Sequence, residues 1–151
     1  MTFGIAALIS WLVTAALGTV LLSLWVARGL RRRGADVRAS YNRPPPYIPR
    51  LLLAAHVLLA AAGLAMWAAY LLLDVDMLAY LALGALIVVT LLGSGMFVRW
   101  IGSRRARRAA RAGAGAPAES RLPVLVVLCH GVMGVATLLL VALVWIRPGG
   151  L

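Results

Sequence analysis

The two histidines, His56 and His130, are the residues of this sequence best suited to chemistry. Each lies inside a long apolar stretch, where the other ionisable side chains are Cys129 and tyrosines. Ionisable side chains are costly inside a membrane, so those that occur there are usually functional or paired. An imidazole can ligate a metal, relay a proton or donate a hydrogen bond. The histidine pair is therefore the starting point for a functional hypothesis.

The spacing of the histidines from flanking arginines predicts similar depths in the membrane. His56 follows Arg50 by six residues, about 9 Å of helical rise. His130 follows Arg121 by nine residues, about 13.5 Å. Both helices are predicted to start at the same membrane face and to run in the same direction. The two rings can therefore face each other across a helical bundle.

Small residues follow each histidine along its predicted helix face, among them Gly63 and Gly134. They leave room for a flat macrocycle between facing ligands, and bundle cores are where such cofactors are held. The pattern predicts one haem b with His56 and His130 as axial ligands. Its propionates would lie among arginines at the same end of the bundle: Arg50, Arg99 and Arg121.

Three alternatives remain open for the histidines. They can form a structural pair that only donates hydrogen bonds between helices, a site for another metal, or a proton relay. No carboxylate lies within an apolar stretch, which disfavours a proton-coupled exporter. No Gly-x-Ser-x-Gly, His-Glu-x-x-His or phosphate-binding glycine motif indicates an enzyme. The single cysteine, Cys129, excludes an intrachain disulfide and a paired-cysteine haem attachment.

The elements that must position the histidines are predicted to be transmembrane helices. The 151 residues are 64% hydrophobic and 13% charged, against about 45–50% and about 25% in soluble domains. Four stretches lack Arg, Asp and Glu and reach the roughly 20 residues that a spanning helix needs. We therefore expect a single all-α membrane domain, an antiparallel bundle of four transmembrane helices at about 3–27, 51–73, 77–98 and 122–146. No convincing internal repeat is expected between the two halves.

Charge asymmetry predicts the orientation of these helices. The connections 28–50 and 99–121 carry seven arginines each, whereas the opposite side carries Asp74, Asp76 and Arg147. Because positive loops stay inside, both long loops should be cytoplasmic and both termini outside. Asp74–Asp76 is short enough to make the second and third helices a tight hairpin. The run Arg104–Arg111 is expected to extend the third helix by a turn or two.

The net charge of +11 bears on the partners. In a membrane protein, basic loops are explained by topology and by anionic lipid headgroups, so we expect lipid contacts and no nucleic acid. The sequence favours a structural, accessory or assembly component of the bacterial cytoplasmic membrane. Its expected partners are other membrane subunits. The electron-transferring haem protein is the alternative.

A resemblance to a known group of proteins rests on two stretches and a few single positions. The stretches are Leu78–Trp100, which ends in Gly95–Trp100, and Leu122–Leu143, which includes His130–Gly131; the other positions are His56 and Trp67–Tyr70. Over about two thirds of the chain, the sequence resembles small four-helix membrane proteins of actinobacteria. That resemblance implies a membrane location and the helix count, with no role for Cys129. The histidine-bearing parallel helices also resemble a reduced version of four-helix b-type cytochromes, an architectural likeness that does not confer function.

Overall fold

Four α-helices make up the structure, a computed structural model that describes residues 2–33, 48–109 and 122–146. They are α1 (Thr2–Arg33), α2 (Arg50–Leu73), α3 (Asp76–Ala109) and α4 (Val124–Ile146). The predicted all-helical fold with four membrane-length helices is confirmed. All four are long and apolar enough to cross a membrane.

Two helices run past the apolar stretches that predicted them. α1 reaches Arg33 and α3 reaches Ala109, so the first arginines after each stretch are helical. Arginine and alanine are good helix formers, and nothing in these segments stops the helix. The expected basic extension of α3 is therefore present as far as Ala109.

The link between α2 and α3 is only two residues long. Asp74 adopts a left-handed conformation with φ of 55°, and its N–H donates to the Tyr70 carbonyl over 2.9 Å. This is a helix C-cap of the αL type, which turns the chain sharply. Asp76 then opens α3, where a negative side chain suits the positive end of the helix dipole. α2 and α3 consequently form the expected tight hairpin.

Large apolar side chains are exposed along the middle of the helices. Leu58 is 70% exposed, Leu91 66% and Val132 67%. Contiguous apolar surface of this kind is unfavourable in water, whereas lipid tails solvate it. The exposed surface thus agrees with the length and composition of the helices in indicating a multi-pass membrane protein.

The bundle consists of two closely packed helix pairs, α1 with α4 and α2 with α3, with sparser contacts between α1 and α2 and between α3 and α4. Within each pair the contacts run antiparallel: Ser10 meets Thr137 while Gly18 meets His130. A buried cluster joins the four helices at the end away from the arginines. Its members are Ala7, Trp11, Trp67, Tyr70, Ala79, Ala82, Leu86, Val141 and Val144.

The two halves of the chain correspond to each other, contrary to the expectation that no internal repeat relates them. Buried positions of α1 recur in α3 75 residues later, and those of α2 recur in α4 74 residues later. The corresponding buried pairs are Gly4 and Ala79, Ala7 and Ala82, Ser10 and Ala85, Trp11 and Leu86, Gly63 and Thr137, Trp67 and Val141, and Tyr70 and Val144.

The starts of α2 and α4 follow the same correspondence. Leu53 donates its N–H to the Pro49 carbonyl over 3.2 Å, and Val127 donates to the Pro123 carbonyl over 3.1 Å. The sequence hides the repeat because the residue types at matched positions differ strongly in size, as Trp67 and Val141 do. The halves share the pattern of burial and a few residue types, among them Pro49 and Pro123, and their correspondence becomes visible in the packed bundle.

Candidate functional site at the histidine pair

His56 and His130 lie together where the two helix pairs meet. Their ring centroids are 6.3 Å apart, and the ring planes are inclined by 63°. His56 is on α2 and His130 on α4, and both side chains are partly buried. The structure therefore brings together the two residues that the sequence singled out, at matching depth, as expected for parallel helices.

The His56 ring is anchored on α3. Its Nδ1 lies 3.1 Å from the carbonyl oxygen of Val89. One turn further along α3, Gly93 faces the same ring: a Cβ placed on this glycine would be 3.2 Å from His56 Cε1. The ring thus occupies space that any larger residue at position 93 would restrict.

The His130 ring is anchored on α1 in the same manner. Its Nδ1 lies 2.9 Å from the carbonyl oxygen of Thr14. A Cβ placed on Gly18, one turn further along α1, would be 3.0 Å from His130 Cε1. Both imidazoles are therefore held by one backbone carbonyl and one glycine of a neighbouring helix.

These two hydrogen bonds determine which nitrogen of each ring can bind a ligand. A carbonyl oxygen only accepts, so Nδ1 must carry the proton and donate. In the neutral ring, Nε2 then presents a lone pair. An Nδ1–H bond to a backbone carbonyl is also the arrangement that orients metal-ligating histidines. Both rings are therefore prepared to ligate through Nε2.

The ring separation suits a shared metal centre. A metal ion bound to one nitrogen of each ring at about 2 Å would hold the centroids about 6 Å apart. No group of three or more His, Cys, Asp or Glu side chains occurs among the described residues. A zinc-like ion needing four protein ligands finds only two here. Two imidazoles are the protein ligands that a bis-histidine haem would take from this chain, so the donor set fits such a haem in number and type.

The arginines predicted to contact haem propionates are only partly placed. Arg50 begins α2, six residues before His56, and Arg99 lies on α3, six residues after Gly93. Both are therefore about 9 Å along the bundle from the rings, at the same end. Both side chains are exposed. The third candidate, Arg121, lies outside the described residues.

The small residues named from sequence do not line the space between the rings. A Cβ added at Gly63 would lie 3.0 Å from Trp11 Cζ2, and one added at Gly134 would lie 3.8 Å from Thr14 Cγ2. The glycines that contact the imidazoles are Gly18 and Gly93. They escaped the sequence analysis because each lies on a helix other than that of the histidine it serves. One sequence feature could have pointed to them: Gly18 follows Thr14 on α1, and Gly93 follows Val89 on α3, each by one helical turn.

A group of hydroxyls adjoins the His130 anchor. Ser10 Oγ lies 2.8 Å from Thr137 Oγ1, and Thr14 Oγ1 lies 3.3 Å from the same atom. Thr14 Oγ1 also donates to the Ser10 carbonyl, and Thr137 Oγ1 to that of Met133. The corresponding positions near His56 are apolar, namely Ala85, Val89 and Gly63. Hydroxyl groups therefore surround the His130 anchor but not the His56 anchor.

Comparison with known proteins adds no function to this geometry: no protein-family model matches the chain, and no curated protein or solved structure is significantly similar to it.

Proposed function

We propose that this chain is a small multi-pass protein of the bacterial cytoplasmic membrane that binds one b-type haem and transfers electrons. The observation that carries the proposal is the facing pair His56 and His130, each with Nδ1 on a backbone carbonyl and with ring centroids 6.3 Å apart. These are the ligand number, nitrogen type and spacing that a six-coordinate haem iron requires.

In this proposal, the histidines and the arginines have separate roles in binding the haem. His56 and His130 would hold the iron through Nε2, while the Val89 and Thr14 carbonyls fix the orientation of the rings. Arg50 and Arg99 offer guanidinium groups to the propionates at one end, and Arg121 belongs to the same predicted group. Haem with two imidazole ligands supplies one-electron redox chemistry and lacks an open position for oxygen. The site therefore favours electron relay over catalysis.

The membrane orientation in this proposal rests on charge. Seven arginines in each of the connections 28–50 and 99–121 favour a cytoplasmic location for both, with the termini outside. The histidines would then lie nearer the cytoplasmic face, and the basic connections would meet anionic lipid headgroups.

A haem titration tests the proposal. Haem added to purified protein in detergent should saturate at one equivalent per chain and give a low-spin ferric electron paramagnetic resonance signal. The variant His56→Ala/His130→Ala should show only weak, unsaturable uptake. Equal uptake by the wild type and this double variant would contradict the proposal, because haem would then be dissolving in the micelle.

A structural, accessory or assembly role is the second candidate. It is favoured by the contacts that each histidine already makes: a hydrogen bond to a carbonyl and close packing on a glycine, as in a purely structural interhelical pair. Under this alternative, colourless tagged protein would be purified from mild detergent with a stoichiometric membrane partner. Purification without haem and without such a partner would exclude both candidates.

A further inference from the structure

Each histidine is held by the other half of the chain. The first half comprises α1 and α2, and the second half comprises α3 and α4. His56 of the first half is anchored on α3, and His130 of the second half is anchored on α1. Reciprocal contacts of this kind characterise the isologous interface of a two-fold symmetric dimer. Here both copies of the interface belong to one chain.

The reciprocity extends to individual positions. His130 follows His56 by 74 residues, while the anchoring carbonyl of Val89 follows that of Thr14 by 75. Gly93 likewise follows Gly18 by 75. The matched distances are also similar: 3.1 and 2.9 Å for the hydrogen bonds, and 3.2 and 3.0 Å from a Cβ added at the glycine to the ring Cε1. Three kinds of position, the histidine, the accepting carbonyl and the glycine, thus obey one correspondence, which is also the correspondence of the buried core.

We propose that the two repeats build one ligand site with local two-fold symmetry, in which Gly18 positions His130 and Gly93 positions His56. A single metal atom between the two rings then meets two equivalent nitrogens. Its identity as haem iron rests on the proposed function, whereas the crossed pairing of glycines and histidines does not.

The role of the glycines follows from contact distances. Carbon atoms in van der Waals contact are about 3.5–4.0 Å apart, so a methyl group at position 18 or 93 would overlap the ring edge. The imidazole must then give way by a few tenths of an ångström. Gly84, Gly95 and Gly131 are matched controls, because an added Cβ at these glycines has no neighbour within 4 Å.

Nitrogen-15 magnetic resonance of histidine-labelled protein without haem tests the crossed pairing. The wild type should show two neutral rings protonated at Nδ1, assigned by the His56→Ala and His130→Ala variants. Gly18→Ala should shift the His130 resonances more than those of His56, and Gly93→Ala should do the reverse. Gly84→Ala should shift neither ring. The proposal would be overturned if Gly18→Ala mainly shifted His56 and Gly93→Ala mainly shifted His130. It would also be overturned if neither variant shifted the resonances more than Gly84→Ala does.

Double-mutant cycles keep the test decisive where a glycine variant is too unstable for spectroscopy. Gly18→Ala should lower the thermal midpoint relative to the matched Gly84→Ala, and this difference should disappear in a His130→Ala background, because the ring that meets the methyl group is gone. The difference should persist in a His56→Ala background. The same crossed result is expected for Gly93 with His56. Loss of the difference with the wrong histidine, or with neither, would contradict the crossed pairing.

Haem binding separates this inference from the proposed function. If haem binds, Gly18→Ala and Gly93→Ala should each lower occupancy by a similar factor, and Gly131→Ala should not. Crossed pairing without haem binding would overturn the proposed function and leave the two-fold site standing. Haem binding that both glycine variants leave unchanged would overturn the two-fold site and leave the proposed function standing.

Discussion

At the scale of single residues, three ring N–H groups inside the bundle use backbone carbonyls of neighbouring helices as partners. His56 and His130 do so, and Trp67 donates its indole N–H to the Gly4 carbonyl over 3.1 Å. A helix carbonyl can accept a second hydrogen bond besides its intrahelical one, so no polar side chain is needed opposite. This explains how a nearly charge-free interior can still fix the orientation of its polar groups.

Replacing Trp67 measures the value of one such bond. Trp67 is fully buried, whereas Trp100 is 5% exposed and its Nε1 has no hydrogen-bond partner in the described part of the chain. Trp67→Phe should therefore destabilise the protein by about 1 kcal/mol more than Trp100→Phe. Unfolding in mixed micelles gives both free energies. Equal losses would show that the Trp67–Gly4 bond contributes nothing beyond packing.

The sequence predicted the two histidines as a facing pair but not what holds them. Residue type and distance from Arg50 and Arg121 were sufficient for the pairing, because both helices start at the same face. Carbonyl acceptors carry no sequence signature, so the roles of Thr14 and Val89 could not be predicted. Gly63 was assigned to the site because it follows His56 on one helix face, yet Trp11 covers it.

At the scale of the helices, hydroxyl groups of α1 and α4 bond to each other, whereas the described hydroxyls of α3, such as Thr90 and Ser94, donate to carbonyls of their own helix. Thr137 lies at the centre of this group, in contact with Ser10 and Thr14. Interhelical hydrogen bonds of this kind give a membrane bundle register as well as stability, since apolar packing alone does not distinguish helix faces from lipid. The α2–α3 pair has its register fixed by the two-residue link instead.

Replacing Thr137 tests this account of the α1–α4 pair. Thr137→Val keeps the shape but removes the hydroxyl, and should lower the free energy of unfolding by about 1 kcal/mol. Thr90→Val is the matched control, because Thr90 Oγ1 donates to the Leu86 carbonyl of its own helix. If the two variants lose the same stability, the interhelical bond between Ser10 and Thr137 does not hold the pair together.

At the scale of the whole molecule, the chain consists of two successive two-helix repeats, α1–α2 and α3–α4, related by local two-fold symmetry, with the histidine pair between them. Such an arrangement needs both repeats to enter the membrane in the same orientation. The arginine distribution meets this need, since each repeat has its basic connection between its two helices. Positive loops at equivalent places in both repeats favour a parallel arrangement with both connections inside.

Labelling of introduced cysteines tests this orientation. In a Cys129→Ser background, a membrane-impermeant thiol reagent added to intact cells should label Asp76→Cys and should label Ser40→Cys only after permeabilisation. Asp76 is exposed at the start of α3, which makes it a suitable outer site. Labelling of position 40 in intact cells, with protection of position 76, would reverse the orientation and place the histidines near the outer face.

The most direct test of the central claim is the absorption spectrum of protein purified from haem-supplied cells, recorded oxidised and after dithionite reduction. Wild type and Cys129→Ser should both show sharp reduced α and Soret bands of a six-coordinate b-type haem, since the Cys129 side chain is exposed. His56→Ala and His130→Ala should each abolish that six-coordinate spectrum, because the remaining imidazole leaves the iron without its second axial ligand. A colourless wild type, with both alanine variants folded and expressed normally, would contradict the account and leave the histidines as packing residues.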